Sequence, residues 1–153
     1  MHTTFYRSEI GFLKITGSEH GIHSIEFTEE TAVPETELPV CLRDCVRQLD
    51  EYFEGRRKIF DLKLKPEGTD FQKRVWQELL NIPYGKTATY LDIAKAIDNV
   101  KAIRAVGAAN GQNHIPIIIP CHRVIGRDGS LIGFGGGIWR KEFLLRHEGA
   151  LMV

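Results

Sequence analysis

The stretch Ile117-Ile118-Ile119-Pro120-Cys121-His122-Arg123-Val124 places a thiol, an imidazole and a guanidinium side by side behind an apolar run. The three isoleucines call for burial and an extended backbone. Pro120 fixes its own φ and biases Ile119 away from the helix. The segment is therefore expected to hold Cys121 rigidly. A thiol next to His122 and Arg123 can ionise more readily than a free cysteine, and the thiolate is the nucleophile. His122 is the residue that would take the thiol proton, directly or through a water. Such a histidine is usually oriented by an acceptor on its other nitrogen. Glu148, in His147-Glu148-Gly149, is the candidate acid.

Cys41 and Cys45 lie at helical i, i+4 spacing and could share a metal with His20 or His23. No second pair has finger-like spacing, so the two cysteines are expected to line the inner face of a helix, with no metal bound. The odd count of three cysteines argues against a disulfide framework and for a reducing, cytoplasmic setting. The N-terminus lacks the basic start and apolar core of a signal peptide, and no apolar run approaches the roughly 20 residues that span a membrane. The net charge is zero but unevenly spread. Residues 1–67 carry 9 Lys+Arg against 13 Asp+Glu (−4), and residues 68–153 carry 11 against 7 (+4). That split fits two units, the second able to meet a polyanion.

The positioning elements follow from periodicity. Strand-like runs at Thr3–Ser8, Ile10–Thr16 and Ile22–Phe27 surround a turn at residues 17–21. An acidic loop with Pro34 and Pro39 leads to a helix whose Leu42, Cys45, Val46, Leu49 and Phe53 share a face and which Gly55 ends. Ile59–Lys65 reads as one further strand, and Pro66-Glu67-Gly68 as a linker. The first domain, residues 1–66, is thus a small antiparallel sheet plus a helix. Residues 67–153 read as mostly α. Thr69 or Asp70 caps a helix with Phe71, Val75, Trp76, Leu79 and Leu80 on one stripe. Thr89 and Asp92 form a capping box for a second helix, with Leu91, Ala94 and Ile97 facing the core. Lys101–Asn110 is an Ala-rich third helix, and the pair has the shape of a helix-turn-helix. A turn at residues 126–129, a glycine loop at Gly133-Phe134-Gly135-Gly136-Gly137 and a last helix, Ile138–His147, complete the chain.

The second domain resembles the O6-alkylguanine-DNA alkyltransferases (methylated-DNA–protein-cysteine methyltransferases), most closely the short bacterial type. The resemblance runs through Phe71-Gln72, Val75-Trp76, Ile82-Pro83-Tyr84-Gly85, Arg104 to Asn110, Asn113, Ile119 to Ile125, Gly136-Gly137 and Lys141 to Leu145 with His147-Glu148-Gly149. It implies a ribonuclease H-like first domain and a winged-helix-like second one. It also implies that Cys121 accepts an alkyl group from O6-methylguanine, and from O4-methylthymine, in double-stranded DNA, once per molecule. His122 would deprotonate Cys121 through a water, Glu148 would orient His122, and Asn113 would brace the turn. Tyr90 would donate to the departing guanine. Arg104 would fill the gap left by a base flipped from the minor-groove side. Tyr90, Ala105, Ala109 and Arg123 would meet DNA, and Val124, Phe134, Gly135 and Gly136 would line the base pocket. No cofactor, metal, membrane or second copy is implied. Members that lack the cysteine only bind lesions, so the alternative is a non-catalytic alkylated-DNA-binding protein. A multiple-turnover cysteine hydrolase is a third class, one with no need of a helix-turn-helix.

Overall fold

The computed structural model describes residues 1–29 and 38–151. The chain divides into two compact units, Met1–Glu67 and Gly68–Val153.

In the first unit, strands β1 (His2–Ser8), β2 (Gly11–Ser18) and β3 (Gly21–Thr28) form an antiparallel sheet in that order. Alternation fixes the register: Leu13 faces Phe27 and Ile15 faces Ile25, so Leu13, Ile15 and Ile25 all point into the core. Helix α1 (Val40–Phe53) covers that face with Leu42, Cys45, Leu49 and Tyr52. Gly17 permits the approach, since a Cβ there would sit 2.9 Å from Leu42. Pro34 and most of the acidic loop lie outside the described residues. The expected strand at 59–65 does not form. Ile59 is exposed, and the Gln48 side chain pairs with both backbone groups of Asp61 (2.8 and 3.0 Å) in place of a ladder. Only Leu64 bridges to Ile22.

The second unit is mostly helical. Thr69 caps α2 (Asp70–Leu79) in a capping box with Gln72. Val75, Trp76 and Leu79 are buried, whereas Leu80, expected on the same stripe, is exposed. The Thr89–Asp92 capping box starts α3 (Tyr90–Ala96). Its core face is Ile93, Ala94 and Ile97, with Leu91 only half-buried. A 3-10 turn at Val100–Ala102 delays α4, which spans Ile103–Gly111 rather than starting at Lys101. Strands β4 (Ala88–Thr89) and β5 (Val124–Ile125) pair in parallel. Helix α5 (Ile138–His147) closes the unit. Among the described residues no helix is long and apolar enough to cross a membrane.

Candidate active site

The isoleucine segment is buried as expected but is not extended. Ile115 to Ile119 are all buried within successive turns, and Ile117 adopts φ +75°, which β-branched residues strongly disfavour. Asn113 enforces the turn from within: its Oδ1 accepts from the Ile115 amide (3.0 Å) and its Nδ2 donates to the Ile119 carbonyl (2.8 Å). The Ile119 amide donates back to the Ile115 carbonyl at 3.0 Å. Burial of the isoleucines offsets the strain at Ile117. The turn delivers Cys121 to the start of a 3-10 helix, Cys121–Arg123, with Pro120 as its N-cap.

Cys121 is 4 % exposed. Burial pushes its thiol up to about 11, opposed by the Asn113 side chain, the Lys141 charge and the amides of Cys121 and His122. Asn110 Nδ2 donates to the Cys121 carbonyl at 3.3 Å. His122 is fully buried, and its Nε2 lies 2.8 Å from Glu148 Oε2. An ionised carboxylate can only accept, so Nε2 carries the hydrogen and Nδ1 holds the lone pair of a neutral ring. Nδ1 has no hydrogen-bond partner among the described residues. Burial holds the His122 pKa below its ordinary value, while Glu148 pulls the other way.

Arg123, expected to meet DNA, is turned into the protein. It is 7 % exposed and grips Glu148 with two bonds, Nε to Oε1 at 2.7 Å and Nη2 to Oε2 at 3.0 Å. Its Nη1 donates to the Ile82 carbonyl at 2.6 Å. The fork geometry makes Arg123 the anchor that orients Glu148 toward His122. Burial alone would raise the Glu148 pKa, but the His122 and Arg123 bonds and charges hold it at about 2. Ala109, also expected to meet DNA, is likewise buried: it is 2 % exposed and its carbonyl accepts from Trp76 Nε1 at 2.8 Å. It falls three residues from the buried Val106, on the inner face of α4. Ile103, Arg104, Ala105 and Ala108 form the outer face.

Tyr90, at the first position of α3, donates its hydroxyl to the Ile132 carbonyl at 2.9 Å. Burial, then the Cys121 charge, raises its pKa. The β4–β5 pair sets this helix start beside the cysteine turn through Ala88–Val124 and Thr89–Ile125. Val124 is fully buried and Phe134 is 8 % exposed. Gly135 is exposed and Gly136 half-buried. The loop is held by the Gly137 amide on the Phe134 carbonyl (3.0 Å) and by Arg140 on the Gly136 carbonyl (2.8 Å). Sequence reasoning gave no role to Lys141, which is fully buried. The available signal was its spacing from the buried Leu144, Leu145 and Glu148 on α5. Among the described residues no His, Cys, Asp and Glu cluster is suited to a metal; Cys45 faces the α1 core and His23 bonds Ser18 at 3.0 Å.

An oriented histidine beside a buried thiol, followed by an apolar-walled glycine loop, defines a thiol nucleophile site carried by a helical unit. Residues 70–150 match the family described as 6-O-methylguanine DNA methyltransferase, DNA binding domain, and residues 1–66 match its ribonuclease-like domain. A relative named methylated-DNA–protein-cysteine methyltransferase from Methanosarcina acetivorans is 48% identical over 98% of this chain and 99% of its own length. One of the same name from Haemophilus influenzae is 45% identical over 97% of this chain and 86% of its own. The crystal structure of Mycobacterium tuberculosis O6-methylguanine methyltransferase superposes with a TM-score of 0.87 at 46% identity, covering 97% of this chain and 93% of that one. A complex of the M. tuberculosis protein with DNA gives 0.89 at 45% identity over 98% and 94%. The chain belongs to the 6-O-methylguanine DNA methyltransferase family.

Proposed function

We propose that this protein repairs DNA by direct reversal, moving the methyl group of O6-methylguanine, and of O4-methylthymine, onto Cys121. The observation that carries the reading is the buried relay Arg123–Glu148–His122 next to Cys121. Arg123 fixes Glu148, Glu148 fixes the tautomer of His122, and the lone pair left on Nδ1 takes the thiol proton through a water. The sulfur then bonds to the methyl carbon as the carbon–O6 bond breaks. The released electron pair stays on the guanine, which takes up a proton with Tyr90 as donor. A thioether has no good leaving group, so each molecule acts once. No cofactor is required by this chemistry.

The methyl carbon is hidden in duplex DNA, so the nucleotide must leave the stack. The helix-turn-helix of α3 and α4 supports this reading. Arg104 is exposed near the start of α4, and its outer face otherwise carries small and aliphatic residues with few groups for reading bases. That face suits the minor groove, with Arg104 filling the vacated stack. Val124, Phe134, Gly135 and Gly136 would bound the flipped base. The three free thiols fit a reducing compartment such as the cytoplasm, and the protein would act there as a monomer.

Incubation with duplex carrying O6-methylguanine is expected to add one methyl mass to the Cys121 peptide and to stop at one equivalent. An adduct on Cys41 or Cys45, or none, refutes the reading. Lesion binding and cellular protection that survive Cys121→Ser would establish a binding protein instead, and continued turnover a hydrolase. Arg104→Ala is expected to slow transfer from duplex far more than from the free base.

A further inference from the structure

Helix α5 begins against the usual preferences. Its N-cap, Gly137, offers no side chain to the first amides, and no acidic residue stands in the first turn. That turn holds Arg140 instead, a cation at the positive end of the helix, where the peptide dipoles disfavour it. Beside it Trp139 leaves 55 % of its surface in water. Two adjacent residues so poorly placed for the helix call for a reason outside it.

Side chains on a helix lean back toward its N-terminus. Arg140 accordingly reaches over the segment that precedes α5, and its Nη1 donates to the Gly136 carbonyl at 2.8 Å. The arginine Cζ sits over the Trp139 ring, 4.5 Å from its centre. A planar guanidinium can stack on an aromatic face while its edge donates hydrogen bonds. The exposed tryptophan is a shelf that aims Arg140 at the loop.

The loop needs such a hold. Four of the five residues from Gly133 to Gly137 are glycine, the residue with the greatest backbone freedom. The same loop lies against the end of α4, where a Cβ added at Gly135 would meet the Gly111 carbonyl at 3.5 Å. Asn110, one residue back, donates to the Cys121 carbonyl at 3.3 Å. The glycine loop therefore closes on the part of α4 that touches the nucleophile's own backbone.

We propose that Arg140, propped on Trp139, is a positioning residue that holds the glycine loop against α4 and so limits the size of the alkyl group Cys121 accepts. It acts through the Gly136 carbonyl. With the brace in place the loop wall stays close and favours a methyl group. Without it the loop ranges more widely, so a small group is held less well and a larger one gains entry.

The inference rests on the alkyl-transfer reading, and its test keeps the two apart. Single-turnover rates are measured from duplexes carrying O6-methylguanine or O6-butylguanine. Arg140→Ala should slow methyl transfer and raise the butyl-to-methyl rate ratio roughly tenfold, the scale on which an apolar pocket sorts groups by size. Equal losses on both duplexes would mean that Arg140 only supports the fold, and would overturn the proposal. Trp139→Ala alters a largely exposed position and so tests the brace even where Arg140→Ala loses its fold. It should raise the same ratio by less, and an unchanged ratio overturns the proposal. The brace is also read without DNA, by hydrogen exchange at the Gly137 amide, which bonds to the Phe134 carbonyl across the loop. Exchange should quicken in both variants, and exchange at the wild-type rate overturns the proposal. Quickened exchange in proteins of which none, wild type included, takes an alkyl group from either duplex would refute the alkyl-transfer reading and leave the brace standing.

Discussion

Cys45 and Cys121 are both buried thiols, one in each unit, and only one is surrounded by polar groups. Cys45 sits on the inner face of α1 among Leu42, Leu49 and Tyr52, and burial alone pushes it up to about 12. Cys121 is nearly as buried, yet Asn113, Lys141 and two backbone amides oppose the same desolvation and bring it to about 11. The two sites show that exclusion from water silences a thiol by default. Reactivity has to be built back in by donors and charge placed around the sulfur.

The largest expected effect separates the two cysteines outright. Cys121→Ser should abolish methyl transfer in a stopped-flow or quench assay, while Cys45→Ser should leave its rate unchanged. A large rate loss in Cys45→Ser would dissolve the contrast. Next comes the polar shell itself. Glu148→Gln leaves the buried Arg123 charge without its partner and should cost about 3–5 kcal/mol in urea unfolding. It should also slow transfer by about 10²-fold or more through loss of His122 orientation. A change below 1 kcal/mol would mean that the relay is less dry than its burial indicates.

The shell also predicts an acid dependence. His122 and Glu148 both have folded-state pKa values below their ordinary ones. The unfolded chain therefore binds more protons, and stability falls as pH drops. The contribution is complete above the ordinary histidine value of 6.5. It erodes first through His122, then through Glu148 from 4.5 toward about 2. Denaturation midpoints measured across that range in wild type and Glu148→Gln should converge at the acid end, and parallel curves would contradict the assignment. A smaller effect is expected from Asn113→Ala, about 1–3 kcal/mol for the two turn bonds it removes, with slower transfer. Smallest is Cys45→Ala. It should cost about 1 kcal/mol for the lost packing and have no effect on transfer, as read by thermal unfolding and methyl incorporation.

What the sequence alone reveals depends on how local the signal is. The Thr89–Asp92 capping box is a contact between residues three apart, and spacing alone located it. The sheet was legible because alternation and turn residues act within one hairpin. The Ile117 turn was not, because side-chain propensity asks for a strand there. Asn113 and the packing around it override that preference. Arg123 looked like a DNA cation because nothing nearby in sequence reveals that Glu148 and the Ile82 carbonyl meet it. Ala109 and Lys141 were different cases: each lies three residues from a buried apolar one on its helix, a spacing that the sequence reading left unused. An alanine is neutral on that question, and a lysine reads as solvent-facing until its neighbours are known.

Gly133 carries a consequence for how this chain can change over time. It sits at φ +71°, and a Cβ there would fall 2.9 Å from the Tyr90 hydroxyl. A side chain at position 133 would be strained in that backbone and would force the hydroxyl to shift where it meets the Ile132 carbonyl. The two positions are thus tied as a heritable pair. A descendant that gains bulk at 133 would gain most from a matching change at residue 90.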